Sequence, residues 1–374
     1  QSHLGIVTAS QQFTISTYQR LSLYIVSIHD IATTLQTPIY HQSSQSEFSS
    51  TMVPPLITLE EHFFSTAVGD ALHDKHAEQF LAIPGLETQL TNLDDVRLTD
   101  MEKGKVSLQV ISHGPGTLSP QQAHDANEQL AAAIQKHPTR FAGFAALAVK
   151  DPKAAADELE RAVKQHGFVG ALIDCHVNGK YYDGDEYDAL WSKFQELDVP
   201  CYIHPTWPSD DMGPRYTGNF TTGASKSLGA SGWGWHNEVA LHVLRLHASG
   251  KFDKFPKLKI IIGHFGEMIP FMLARIEKLS VRWGKIKPFK QVYDENIWIT
   301  TSGVWSLDPV RTILANTKIE HILYSVDYPF EKNENGLKWI EELEKSGLVT
   351  NEQLDAIAYG NSERLLRVKA PARQ

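Results

Sequence analysis

The chain has 374 residues, 42% hydrophobic and 21% charged, which is enough apolar material for a large core and favours one large domain over two. A formal net charge of -9 with no clustered Lys/Arg tract excludes a nucleic-acid partner, and no stretch approaches the roughly 18 consecutive apolar residues of a membrane span. The two cysteines, Cys175 and Cys201, end different expected strands and suit a reducing, cytoplasmic setting as small buried hydrophobes rather than a disulfide framework.

Residues 1–51 differ in composition from the rest of the chain. They hold no Lys, only Arg20, Asp30 and Glu47 as acids or bases besides His, and are about half Ser, Thr and Gln. The apolar run 21–28 is too short to span a bilayer, lacks the basic flank of a secretory signal and stops at His29 and Asp30. Met52 is the first methionine and stands just before the first β-rich run. The expectation is an N-terminal extension over 1–51, disordered or translated upstream sequence, ahead of one domain covering 52–374.

From Met52 onward, short β-rich runs alternate with longer amphipathic segments. The runs fall near 56–60, 106–112, 140–146, 168–174, 200–204, 258–263, 297–301 and 321–326, and helical patterns between them cover 119–137, 151–167, 185–197, 236–250 and 270–283. Alternation of this kind means a parallel sheet, and eight repeats favour a closed (β/α)8 TIM barrel of the α/β class over an open doubly wound sheet. No Gly-x-Gly-x-x-Gly or phosphate loop comes after the first run, which argues against a nucleotide enzyme. Two segments break the rhythm. Residues 63–105, punctuated by Pro84, must hold a loop and one or two helices, while 207–235, rich in Gly and Ser, is either a lid over the barrel mouth or a solvated loop. Patterns at 335–346, 351–359 and 361–367 add C-terminal helices that close the bottom or flank the barrel.

In such a barrel the chemistry stands at the C-terminal strand ends. The first run ends Leu-Glu-Glu-His-Phe, and Glu60 and His62, two apart on a strand, point the same way while Glu61 points elsewhere. The fifth run ends in His204, the sixth in His264 and the eighth in Asp327. A lone histidine after an apolar run is usually structural, but four strands delivering Glu/His, His, His and Asp to one face point to a divalent metal, because burying such groups unpaired costs several kcal/mol. The weaker candidates are Asp174, His176 and His113, each either functional or a turn and capping residue, and Thr300, Thr301 and Ser302, which offer hydroxyls to the mouth. The fourth strand ends without a Lys, so the site should hold one metal, not two.

Five segments carry a family resemblance: 59–63, His204-Pro205, 255–267 (Phe-Pro-Lys-Leu-Lys-Ile-Ile-Ile-Gly-His-Phe-Gly-Glu), 325–330 (Ser-Val-Asp-Tyr-Pro-Phe) and 360–366 (Gly-Asn-Ser-Glu-Arg-Leu-Leu). From about Ile57 to its end the chain resembles the amidohydrolase superfamily. Within it, the likeness is to the metal-dependent, non-oxidative decarboxylases that include aminocarboxymuconate-semialdehyde decarboxylase and the decarboxylases of γ-resorcylate and 5-carboxyvanillate. That resemblance implies Glu60, His62, His204 and Asp327 around the metal and His264 as a catalytic or substrate-orienting group. Glu267 and Arg275 match the pair that comes after this histidine, Arg275 as a supporting or interface residue. Glu-x-His in place of the superfamily's usual His-x-His resembles the hydroxybenzoate decarboxylases and counts against a hydrolase.

The expected reaction is loss of CO2 from an aromatic, salicylate-like carboxylic acid. One divalent ion, Zn or Mn with Mg also allowed, binds the carboxylate and an ortho hydroxyl while Asp327 protonates the ring carbon. As an acid, Asp327 needs its pKa raised by burial or negative neighbours against the pull of the metal. Trp207, Phe330, Tyr328, Phe63, Phe64 and Trp305 are candidate aromatic walls. The alternatives are a hydrolase, in which Asp327 takes a proton from metal-bound water, and a barrel that binds a small acid without turnover. A homodimer or homotetramer is expected.

Overall fold

The computed structural model describes residues 53–371 apart from 69–75, 78 and 285; the extension expected over 1–51 lies outside the described residues. All eight runs form strands: β1 (Ile57–Phe63), β2 (Leu108–His113), β3 (Phe141–Gly143) with β4 (Ala145–Ala146), β5 (Ala171–Asp174), β6 (Cys201–His204), β7 (Ile260–Ile262), β8 (Ile297–Thr300) and β9 (Ile322–Leu323). The ladders are parallel between consecutive strands, β1–β2–β3 and β4 through β9. The third stave is split at Phe144, whose N–H donates to Ile111 O at 2.9 Å and carries the wall across the break. Two apolar layers result. One lies between strands and helices and includes Leu130, Leu159, Trp191, Val243 and Ile340. The other fills the barrel with Ile57, Leu59, Val110, Leu172, Tyr202 and Ile261, plugged by Leu365 and Leu366 of the last helix. Each such Leu or Ile is worth roughly 1.5–3 kcal/mol of burial.

Helix starts obey local chemistry. Ser119 accepts from Gln122 N in a capping box ahead of Pro120–Lys136, and Asp151 accepts from Ala154 N ahead of Pro152–His166, which Gly167 ends at φ 69°. Among the described residues the interval 63–105 holds the helices Leu86–Thr91 and Asp95–Lys103, with helical residues also at 76–77 and 79–82. The interval 207–235 is not all loop: Thr221 caps a helix over Thr222–Gly229. Two further helices, Phe289–Asn296 and Asp308–Asn316, are short enough to leave little periodicity in the sequence. The three C-terminal patterns appear at Asn333–Ser346, Asn351–Asp355 and Asn361–Leu366, the last two joined by a π turn.

The barrel closes at a seam between β1 and the chain after β9, among the described residues by side chains more than by a ladder. Between Thr58 and Glu61, β1 carries one residue more than β2 opposite it, a bulge. Ser325 Oγ accepts from the two amides this frees, Leu59 N at 3.0 Å and Glu60 N at 2.8 Å, and donates to Glu61 at 3.0 Å. His62 N donates to Tyr328 O at 2.7 Å. The bulge also resets which face each residue meets: Leu59 stays in the interior core, yet Glu60 also turns inward and Glu61 is directed to the seam.

Candidate metal centre

Glu60, His62, His204 and Asp327 converge at the mouth, with one ligand atom from each lying within 4.8 Å of all the others. His62 Nε2 is 3.3 Å from Asp327 Oδ1, and His204 Nε2 is 3.4 Å from Glu60 Oε1. His204 Nδ1 donates to Pro205 O at 2.6 Å, which leaves Nε2 as the lone-pair nitrogen, and burial pushes this imidazole down to about 3, so it is neutral. Glu60 is held from behind. Its Oε2 accepts from Tyr202 and Ser302 hydroxyls and from Thr300 Oγ1 at 3.3 Å, and a Cβ at Gly263 would stand 3.0 Å from the same oxygen. Burial raises its carboxyl, an effect that repulsion from Asp327 increases.

Two buried atoms in this cluster, Glu60 Oε1 and His62 Nε2, make no hydrogen bond. An orphaned carboxylate oxygen facing an orphaned imidazole nitrogen and a neutral His204 is the donor set a divalent cation requires. The residues present therefore fit one metal ion.

His264 reaches the cluster from a turn in which five consecutive residues have positive φ: 48° at His264, then Phe265, Gly266, Glu267 and finally Met268 at 68°. Four are not glycine, and each costs of order 1–3 kcal/mol, strain the surrounding structure must hold. The turn aims His264 Nε2 between Glu60 Oε1 at 4.0 Å and Asp327 Oδ2 at 3.9 Å and folds Glu267 back onto its other nitrogen at 2.7 Å. Burial opposes charge on His264, but Glu267 and Glu60 outweigh it and raise its pKa well above the usual value. Glu267 is itself held at about 2, burial being overcome by His264 and His236. Asp327 is also held at about 2, burial again outweighed by the His264 and His62 rings beside it. The condition set for a protonated Asp327 is thus not met by its neighbours, whose electrostatics favour the proton on His264 over Asp327.

A cavity of about 330 Å³ opens over the cluster, lined by Ile83, Trp235, His236, His264, Asp327 and Phe330 among others, with no Lys or Arg among the described residues of its lining. Phe330 packs edge-on to His62 with ring centroids 5.8 Å apart. Trp207 lines a neighbouring polar cavity of about 620 Å³ with His176 and touches the first through its edge contact with Trp235. Tyr328 lies over Arg97 and Phe63 against His113, so both are core. Phe64 packs on His76, and Trp305 Nε1 donates to Glu331. His113 is satisfied at both nitrogens, by Ser65 N and Gly114 O; Asp174 accepts from Gly116 N and Thr206. Arg275 is exposed on the helix Ile269–Ser280, away from the cluster. Sequence reasoning missed Tyr202, Trp235 and His236, whose roles depend on partners distant in the chain.

The family model described as amidohydrolase matches residues 62–368. A decarboxylase named orsB from Emericella nidulans is 54% identical over 325 residues, covering 85% of this chain and 98% of that protein. The chain belongs to the amidohydrolase family. The matched span takes in His62, His204, His264 and Asp327, with Glu60 just ahead of it. A gamma-resorcylate decarboxylase from Polaromonas is 34% identical to this amidohydrolase over 336 residues, 83% of this chain and 98% of that one. Among solved structures, a dihydroxybenzoic acid decarboxylase from Polaromonas with bound manganese and the inhibitor 2-nitroresorcinol aligns with a TM-score of 0.76 at 32% identity. That alignment covers 84% of this chain and 97% of that one.

Proposed function

We propose that this enzyme is a metal-dependent, non-oxidative carboxy-lyase that releases CO2 from an o-hydroxybenzoate. The observation that carries the reading is the pair of orphaned lone-pair atoms, Glu60 Oε1 and His62 Nε2, beneath a cavity walled by Trp235 and Phe330. Glu60, His62, His204 and Asp327 would hold one divalent ion, and the manganese of the Polaromonas structure favours Mn over Zn or Mg. Bound there, the ion supplies the positive charge that anchors the substrate's carboxylate and ortho hydroxyl. Asp327 faces the cavity, its side chain 18% exposed where that of Glu60 is fully buried, so it is the carboxyl that can reach a ring carbon. It delivers a proton to the carbon bearing the carboxylate; the bond to the carboxylate then breaks, its electron pair restores the aromatic ring, and CO2 leaves. His264, 3.9 Å from Asp327 Oδ2 and hydrogen-bonded through its other nitrogen to Glu267, is the group placed to supply that proton.

Supporting features lie outside the cavity. Phe271, Val281 and Ile286 are largely exposed, Phe271 one helical turn before Arg275, which favours a homodimer or homotetramer that covers apolar side chains of this kind. Two free, buried thiols fit a cytoplasmic location, and among the described residues no helix is long and apolar enough to cross a membrane. The test is CO2 release from a panel of o-hydroxybenzoates, 6-methylsalicylate included, beside a panel of lactones. In D2O the product should carry deuterium on the carbon that lost its carboxylate. An acid product labelled from H2(18)O, with no CO2, would replace this reading with a hydrolase using the same ligands.

A further inference from the structure

Glu267 is fully buried, and each of its oxygens is taken by a different imidazole: Oε1 by His264 Nδ1 at 2.7 Å and Oε2 by His236 Nδ1 at 2.6 Å. His236 sits in the first turn of the helix Gly234–Ser249, just after the segment 207–235, and its Nε2 lies 3.0 Å from the Ser231 carbonyl. The Glu267 carboxylate accepts from Nδ1, and Nε2 faces the Ser231 carbonyl. Its ring meets that of His264 edge-on at 4.8 Å, and both line the cavity. His236, His264 and Glu267 are close enough together to suggest a second cation seat. That reading fails because both carboxylate oxygens and both Nδ1 atoms are already spent on one another.

We infer that His236 is a positioning residue for the decarboxylation, which pins Glu267 so that His264 keeps its Nε2 aimed at Asp327; this rests on the function proposed above. A glutamate carboxylate rotates in a broad, shallow torsional well, so one hydrogen bond to His264 would leave it free to turn. Anchoring the second oxygen removes that freedom. His264 Nε2 lies 3.9 Å from Asp327 Oδ2, and an error of an ångström in such a geometry costs about 100-fold in rate. The Ser231 carbonyl orients His236 in turn, so the chain after Trp207 helps to aim His264 through the carboxylate the two rings share.

His236→Phe keeps the ring volume and removes both ring nitrogens. It should lower kcat by about 10- to 100-fold, the usual cost of removing such an outer partner, while KM, metal content and melting temperature stay near those of the parent. His236→Asn, whose amide N–H stands about where Nδ1 stands, should recover most of the loss. In a Glu267→Gln background His236→Phe should add nothing, since it acts through that carboxylate. A substrate-independent measurement accompanies these: in the zinc-loaded enzyme with 15N-labelled histidine, the His264 ring resonances should move in His236→Phe and return toward the parent in His236→Asn. Unchanged resonances, an unchanged kcat, or effects that multiply in the double variant would overturn the positioning role. If the parent releases no CO2 from the panel, only the decarboxylase reading falls, and the resonances decide the role of His236 on their own.

Discussion

Glu60 and Glu61 are neighbours on one strand, equally buried, and they belong to different regions of the molecule. On the seam face, Glu61 accepts from Ser325 Oγ at 3.0 Å, Val326 N and Tyr328 N at 3.1 Å and Gln109 at 3.4 Å, with Arg97 close by. On the pocket face, Glu60 has one oxygen crowded by three hydroxyls and the other bare. Burial raises both carboxyls, that of Glu61 to about 8, so neither burial nor a displaced pKa tells them apart. Unspent hydrogen-bonding capacity does. A carboxylate whose valence is fully met inside the fold is architecture, whereas a bare carboxylate oxygen grouped with a bare imidazole nitrogen is a ligand set.

The pocket face breaks most visibly at Asp327, which completes the cation set around Glu60. Asp327→Asn keeps the volume and one weak ligand oxygen but cannot carry a proton, so kcat should fall by roughly 100- to 10,000-fold with a much smaller change in KM. Next, Glu60→Gln and His204→Ala should each bring bound metal well below one ion per chain in elemental analysis, whereas His113→Ala, at a residue satisfied within the fold, should leave metal content at the parent level. Full occupancy after His204→Ala would remove it from the ligand set. The seam face answers in a different currency: Glu61→Gln turns an amide N–H2 toward donors and should cost roughly 1–3 kcal/mol in denaturant unfolding while one ion remains bound. If that variant kept its stability and lost its metal, the division between the two faces would be wrong. Smallest of all is the effect expected of a chain beginning at Met52: activity and melting temperature equal to those of the full chain. A loss of several degrees would place 1–51 on the domain or on a partner subunit.

How much of the molecule is legible in the sequence depends on how local each signal is. The eight strands announce themselves because a strand buried on both faces is a short apolar run between turns, as in Ile260–Ile262, and Ser119 and Asp151 announce their helices by capping chemistry within three residues. The cation set is readable because each ligand ends a run. Glu60 and His62 point the same way as their spacing demands, but the bulge that lets Leu59 and Glu60 both face inward leaves no mark in the residues themselves. Tyr202 looks like any core tyrosine until its hydroxyl meets Glu60, 142 residues away. His236 shows the same limit, its partner Glu267 lying 31 residues on across a turn of left-handed residues that no propensity would suggest.

The seam has a thermodynamic meaning beyond the placement of side chains. Glu60 and His62 stand on one side of the joint and Asp327 on the other, where the barrel is fastened by Ser325 and a few hydrogen bonds rather than by a ladder. An ion shared among them would rivet the first stave to the last. Opening the joint must then release the ion, so folding and loading share one equilibrium, and free ion at a hundredfold excess over its Kd adds about 2.7 kcal/mol to the folded state. For a barrel built this way, a chelator is a denaturant as well as an inhibitor.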